Sequence, residues 1–257
     1  YQDFKLLFEN IELSNISLKI GPALAATAMA DWLQQYCSEQ QIDSKELNVL
    51  WDFDPFAASV LHGSLPAWGE MEAARKSVGE ACVNMAAYAN AGATIVQQLA
   101  FALASGNQWF AAEANFPPKL FNFAVANSYF PELAKFRAFR LLWEQVLGEY
   151  ELANHPFYIH SETAMWNKTQ NDAHTNMLRT TTETMAAVLG GADAVTVHPY
   201  NEHFEKPSEF SRRIARNVQL ILREEAYFNK VADVGAGSFY IEKLTDEIAK
   251  ASWDLFQ

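Results

Sequence analysis

Apolar and polar positions along this chain follow two alternating rhythms. Apolar stretches of strand length lie at Ile16 to Ile20, Leu47 to Trp51, Phe157 to Ser161, Ala194 to His198 and Lys230 to Val234, with a weaker one near Ala81 to Met85. Between them, apolar residues recur at spacings of three and four, as in a helix with one buried face. Ala25, Met29, Trp32, Leu33 and Tyr36 form one such stripe; Phe210, Ile214, Val218, Ile221 and Leu222 form another. The ends carry helix punctuation: Ser208 is predicted to cap the helix of the second stripe, Thr245 the last helix, and Gly190-Gly191 to close the helix that follows Thr175.

Strands that take turns with helices, without hairpin dipeptides such as Asn-Gly, predict parallel pairing through helical crossovers. The class is α/β. An open doubly wound sheet and an eight-stranded (β/α)8 barrel of the TIM type share this pattern, and periodicity alone does not choose between them. A closed barrel needs eight strands and about six are visible, so a barrel reading leaves it incomplete, with two strands upstream of Tyr1. A dinucleotide or phosphate loop is not supported, because Gly235-Ala236-Gly237 lacks the third glycine and a following Lys. No Gly-x-Ser-x-Gly nucleophile elbow occurs, which weakens a hydrolase reading of the open sheet.

Composition narrows the partners. Half of the 257 residues are hydrophobic, enough to bury a large core in one domain. A net charge of −12 with 19 basic residues argues against nucleic acid or an anionic membrane surface, since counterion release needs clustered Lys and Arg. No apolar run is long enough to span a bilayer and no basic, apolar leader opens the chain, so the expected location is the cytoplasm. Cys37 and Cys82 can pair, but nothing in their placement requires it. The chain opens on Tyr1 without an initiator Met and ends within an apparent helix, which reads as a piece of something longer.

Five blocks carry more specific information. RTTTETMAAVLGGADAVTVHPYNE (Arg179 to Glu202), SRRIARNVQLILREE (Ser211 to Glu225) and VADVGAGSFYIEKLT (Val231 to Thr245) occur in that order. Upstream lie AGATIVQQLAFALASG (Ala91 to Gly106) and ELAKFRAFRLLWEQV (Glu132 to Val146), the latter with Arg137, Arg140 and Trp143. In order and spacing they resemble the barrel of the methylmalonyl-CoA mutase family, strongly from Ala91 onward and loosely before it. That resemblance implies a (β/α)8 barrel admitting a CoA thioester along its axis. It also implies a separate cobalamin domain over the C-terminal mouth and an adenosylcobalamin radical isomerisation of methylmalonyl-CoA and succinyl-CoA, as in propionate metabolism. In such a reaction the cofactor carries the chemistry and the protein binds and orients.

Carried over residue by residue, the resemblance points away from catalysis. The family's Gly-Tyr-His run falls on Met85, Ala86 and Ala87, so the His that donates to the thioester carbonyl is replaced by a methyl group. Losing such a donor costs on the order of 10²- to 10³-fold in rate. The substrate-contacting Gln of the family's His-Cys-Gln-Thr strand end falls on Glu162, an acceptor-only carboxylate facing an anionic ester. His62 stands where the family has a substrate Arg, and Trp166 matches the family's Trp after the strand end. His198 and Asn201 fall on the turn that faces the corrin, with altered spacing, and no Asp-x-His-x-x-Gly cobalt motif occurs between Tyr1 and Gln257.

Each of these has a plainer competitor. His160, Glu162 and His198 can converge as metal ligands at strand ends, but they offer no compact ligand pair, and strand-end hydrogen bonding is the preferred reading; no metal is expected. Arg212, Arg213, Arg216 and Arg223 can meet CoA phosphates or line a solvated helix face, the latter preferred. Phe121, Phe123, Tyr129 and Phe130 read as core or interface aromatics.

The expected function is that of a small, non-catalytic subunit of the isomerase. It pairs as a heterodimer with a large subunit that binds the CoA ester and adenosylcobalamin, and itself binds no cofactor. The alternative is a divergent catalytic barrel that still binds a CoA ester.

Overall fold

The computed structural model describes residues 1–21, 26–64, 67–79, 81–112 and 117–257. Among the described residues six strands carry the fold: β1 (Ser17–Ile20), β2 (Asn48–Trp51), β3 (Cys82–Asn84), β4 (Leu120–Val125), β5 (Tyr158–Thr163) and β6 (Ala194–Thr196). Every paired neighbour is parallel, β1 with β2 and then β3, β4, β5 and β6 in chain order. Parallel pairs require crossovers, supplied here by α2 (Ala26–Gln40), α3 (Pro55–His62), α4 (Trp68–Val78), α5 (Ala86–Asn90), α6 (Ile95–Ala112), α7 (Tyr129–Glu149) and α8 (Thr175–Leu189). Outside them, α1 (Gln2–Leu7) precedes β1, while α9 (Glu209–Glu224) and α10 (Phe239–Phe256) follow β6.

The ladder breaks between β2 and β3, and one main-chain bond with two side-chain contacts bridges the seam. Phe53 O accepts from Cys82 N at 3.1 Å, Asp52 Oδ1 from Asn84 Nδ2 at 3.1 Å, and Asp54 Oδ2 from Asn84 N at 2.6 Å. The six strands therefore form one arc, and its curvature is decided by a single contact. Lys19 Nζ on β1 lies 3.3 Å from His160 Nδ1 on β5. In a flat sheet those strands would stand four spacings apart, roughly 19 Å, beyond the reach of any lysine. The contact closes across a barrel interior, so the arc is part of a (β/α) barrel and not an open sheet.

Several expectations change against this frame. Leu120–Val125 is a central strand buried on both faces, which hides its alternation, so Phe121 and Phe123 belong to a strand core. Lys230 to Val234 is an irregular segment and not a strand; Val231 and Val234 are exposed, at 57% and 44%. Two branched residues beside a lysine look like a strand only when a neighbouring sheet edge accepts them. Thr245 lies inside α10, where its hydroxyl donates to Ile241 O, and Ser238 holds the N-cap position. On α9 the buried stripe is Ser211, Ala215, Val218 and Leu222, whereas Phe210 and Ile221 are half exposed. On α2, Leu33, Tyr36 and Cys37 are buried, and Ala25 lies outside the described residues.

Other expectations hold. Ser208 Oγ accepts from Ser211 N at 3.1 Å and caps α9, and α8 ends at Gly190, followed by Gly191 at φ +92°. The core sits between β4 and the helices α6, α7 and α10, where Phe121 meets Phe139 and Trp143 at 4.7 Å between ring centroids. Arg140 Nη2 donates to Gly191 O at 2.6 Å and to Asp193 Oδ2 at 2.9 Å, fixing α7 to the entry of β6. Both cysteines are buried free thiols.

Candidate functional site

In a (β/α) barrel the chemistry-bearing side chains stand at the carboxyl ends of the strands. At the end of β3, Asn84 Oδ1 accepts from Ala86 N at 3.0 Å and turns the chain into α5. Ala86 and Ala87 open that helix, both buried. Ala86, Ala89, Ala124, Ala126 and Ala164 then form an apolar cluster across the ends of β3, β4 and β5. Beside it lies a cavity of about 550 Å³, bounded by the first turns of α6 and α7, by Leu244 and Ile248 of α10, and by Trp166. Trp166 is exposed, and Asn90 Oδ1 holds its loop by accepting from Met165 N at 3.0 Å. His62 ends α3, and its side chain lies outside the described residues.

Inside the arc the strands present a continuous polar chain. Lys19 Nζ pairs with Asp52 Oδ2 at 3.1 Å, Asp52 accepts from Asn84, and Asn122 Nδ2 donates to Asn84 Oδ1 and to Glu162 Oε2, each at 3.2 Å. His160 Nδ1 lies 2.6 Å from Asn122 Oδ1, and its Nε2 lies 2.8 Å from Thr196 Oγ1. Because Asn122 Nδ2 is engaged with two acceptors, its Oδ1 must accept, which assigns the His160 proton to Nδ1. Burial, reinforced by Lys19, pushes the His160 pKa down to about 4, so the ring is neutral near pH 7.

Glu162 and His198 form the outer end of this chain. His198 Nε2 stands 4.0 Å from Glu162 Oε1, an ion-pair separation too long for a hydrogen bond, and its Nδ1 lies 3.0 Å from Glu202 Oε2. Burial raises the Glu162 pKa, but His198, Lys19 and Asn122 outweigh it and the net shift is downward. Burial lowers that of His198, and the carboxylates of Glu162 and Glu202 reverse it to a net rise. Asn201 is buried, with Nδ2 donating to Glu205 Oε1 at 2.5 Å.

The structure thus brings His160, Glu162 and His198 together, while Ala86 sits in the neighbouring apolar cluster and Ala87 is buried beside it in α5. His160 is committed to strand-end hydrogen bonds, and no group of three His, Cys, Asp or Glu side chains among the described residues is arranged to hold a metal. Arg212, Arg213 and Arg216 lie on the exposed face of α9, and Arg223 pairs with Glu224 at 2.9 Å. Lys19, Asp52, Asn84 and Asn122 escaped the sequence reading. Their one signal is a polar residue at an inward position of an apolar strand, as in Ser-Leu-Lys-Ile and Leu-Phe-Asn-Phe.

An arc of parallel strands with a polar interior and strand-end side chains around one mouth defines a TIM-type barrel of the kind that enzymes use. The chain belongs to the methylmalonyl-CoA mutase family, whose family model matches residues 1–257. It is 38% identical to the methylmalonyl-CoA mutase small subunit of Porphyromonas gingivalis over 97% of this chain and 44% of that protein. It is 40% identical to the small subunit of Streptomyces virginiae over 66% of this chain and 29% of that protein. A match to the methylmalonyl-CoA mutase of Escherichia coli, 30% identical, covers all of this chain and 39% of the relative. The chain therefore spans less than half the length of these curated relatives. Among the described residues no helix is long and apolar enough to cross a membrane.

Proposed function

We propose that this chain is barrel material of a small, non-catalytic subunit of an adenosylcobalamin-dependent methylmalonyl-CoA mutase, and that it stabilises a catalytic large subunit in a heterodimer. The observation that carries the reading is Ala87, a buried methyl group at the end of β3 where the resemblance calls for an imidazole. A methyl group donates no hydrogen bond to a thioester oxygen, and the Glu162 carboxylate on β5 carries the wrong sign for an anionic ester. The turn after β6 does not fit a corrin either. His198 is flanked by two carboxylates and Asn201 is buried against Glu205, so adenosylcobalamin and the CoA ester are assigned to the partner.

The 38% and 40% identities to small subunits support the same reading, and large subunits are among the relatives, including that of P. gingivalis at 29% identity. A second reading, a divergent catalytic barrel, is favoured by the cavity of about 550 Å³ beside the alanine cluster. One assay separates them. Full-length protein, alone and mixed with the large subunit, is supplied with adenosylcobalamin and methylmalonyl-CoA. The expected result is no turnover by the chain alone and a higher melting temperature for the mixed large subunit. Turnover by the chain alone overturns the proposal, and an unchanged melting temperature removes the stabilising role.

A further inference from the structure

The turn after β6 leaves polar atoms that the fold does not account for. His198 Nδ1 faces Glu202 Oε2 on its own turn at 3.0 Å, and Nε2 faces Glu162 Oε1 on β5 at 4.0 Å. That Nε2 is buried without a hydrogen-bond partner, and so is Oδ1 of Asn201, a residue 3% exposed. A neutral imidazole has one N–H and can serve one of the two carboxylates; an imidazolium has two and can serve both. We propose that His198 is a proton-operated clasp, tying residues 201–205 to the end of β5 when protonated and letting go of Glu162 when neutral.

The surrounding charges poise this clasp. Burial disfavours the imidazolium, while Glu162 on β5 and Glu202 on the turn favour it more strongly. From β1, Lys19 acts on Glu162 in competition with His198, but Asp52 on β2 pairs with that ammonium at 3.1 Å. His160 on β5 is held neutral by burial and adds no charge near pH 7. His174, before α8, packs beside Tyr200 with ring centroids 5.4 Å apart, on the turn but away from the clasp pair.

The root of the turn does not depend on the proton. His198 N donates to Thr163 Oγ1 at 2.9 Å, and Tyr200 O accepts from Asn176 Nδ2 at 3.0 Å. Residues 201–205 have no comparable tie to β5 among these contacts, since the bonds from Phe204 N and Glu205 N return to Asn201 O. Loss of the Glu162 contact is therefore felt there first, at the mouth of the arc, while the root stays in place.

The test is made on full-length protein with isotope-labelled histidine. The ring of His198 is titrated by NMR, and amide exchange is followed between pH 6 and 9 with the intrinsic pH dependence removed. The expected result is a ring midpoint above 6.5 that falls in E162Q and in E202Q. Protection of residues 201–205 should drop at least threefold through that midpoint while α7 stays unchanged. In H198Q the pH-dependent part of that protection should vanish. A midpoint at or below 6.5, a midpoint unmoved in E162Q, or protection of 201–205 that ignores pH would each overturn the proposal.

Discussion

Gly106 of α6 lies directly beneath Trp143 of α7: a Cβ built on Gly106 would stand 2.5 Å from the indole Cη2. Trp143 is fully buried and ringed by Phe110, Phe121 and Phe139, so it has nowhere to retreat. Gly106→Ala is therefore expected to destabilise the fold by about 1–3 kcal/mol through overpacking, despite the better helix propensity of alanine. Urea unfolding checks this. A variant as stable as the native chain would mean that the two helices part easily.

Lys168 and Glu183 form a buried ion pair at 2.7 Å, with Asn167 Nδ2 donating to the same carboxylate at 2.7 Å. Burial lowers the Lys168 pKa and raises that of Glu183; each opposes the other's desolvation, and Asn167 adds a donor to the carboxylate. Glu183→Ala should cost about 3–5 kcal/mol by stranding the ammonium, whereas the double variant Lys168→Met, Glu183→Leu should recover most of the loss. Denaturant midpoints of the single and double variants decide it; equal losses in both would contradict this account.

Stability should fall at both ends of the pH range, for opposite reasons. His160 has its folded pKa near 4, below the unfolded value near 6.5, so between these the unfolded chain binds the proton and the fold loses stability as pH drops. The full penalty is on the order of 3 kcal/mol. His198 is raised, so its contribution is complete below pH 6.5 and disappears as pH climbs through the folded value. Melting temperatures across pH 4–9 are expected to trace a dome, with the acid limb abolished in His160→Gln.

Ser208 closes the start of α9 by accepting from Ser211 N at 3.1 Å. Ser208→Ala should therefore cost about 1 kcal/mol, and Ser208→Asp should retain the cap. The loss is read in thermal unfolding, and an alanine variant indistinguishable from native would show that α9 is held by its buried stripe alone.

How much of this was legible beforehand differs between elements. Five of the six strands and the caps at Ser208 and Gly190 follow from local pattern, because each depends on residues within a few positions of one another. The strand at Leu120–Val125 does not, since a strand buried on both faces loses its alternation. The false strand at Lys230 to Val234 fails for the converse reason: its branched residues have strand character but meet no partner edge. At the site, Glu162 and the alanines at 86 and 87 were singled out only through the family resemblance, while Lys19, Asp52, Asn84 and Asn122 carried no motif at all.

The chain's order of residues thus determined the α/β alternation, the parallel pairing and the family, because all of these are local or compositional properties. Curvature of the strand arc, the close approach of Lys19 to His160 and the neutral state of that imidazole were decided only in three dimensions. They join residues as far apart as β1 and β5, and no periodicity along a chain reports which side chains will face one another across an enclosed, poorly solvated interior.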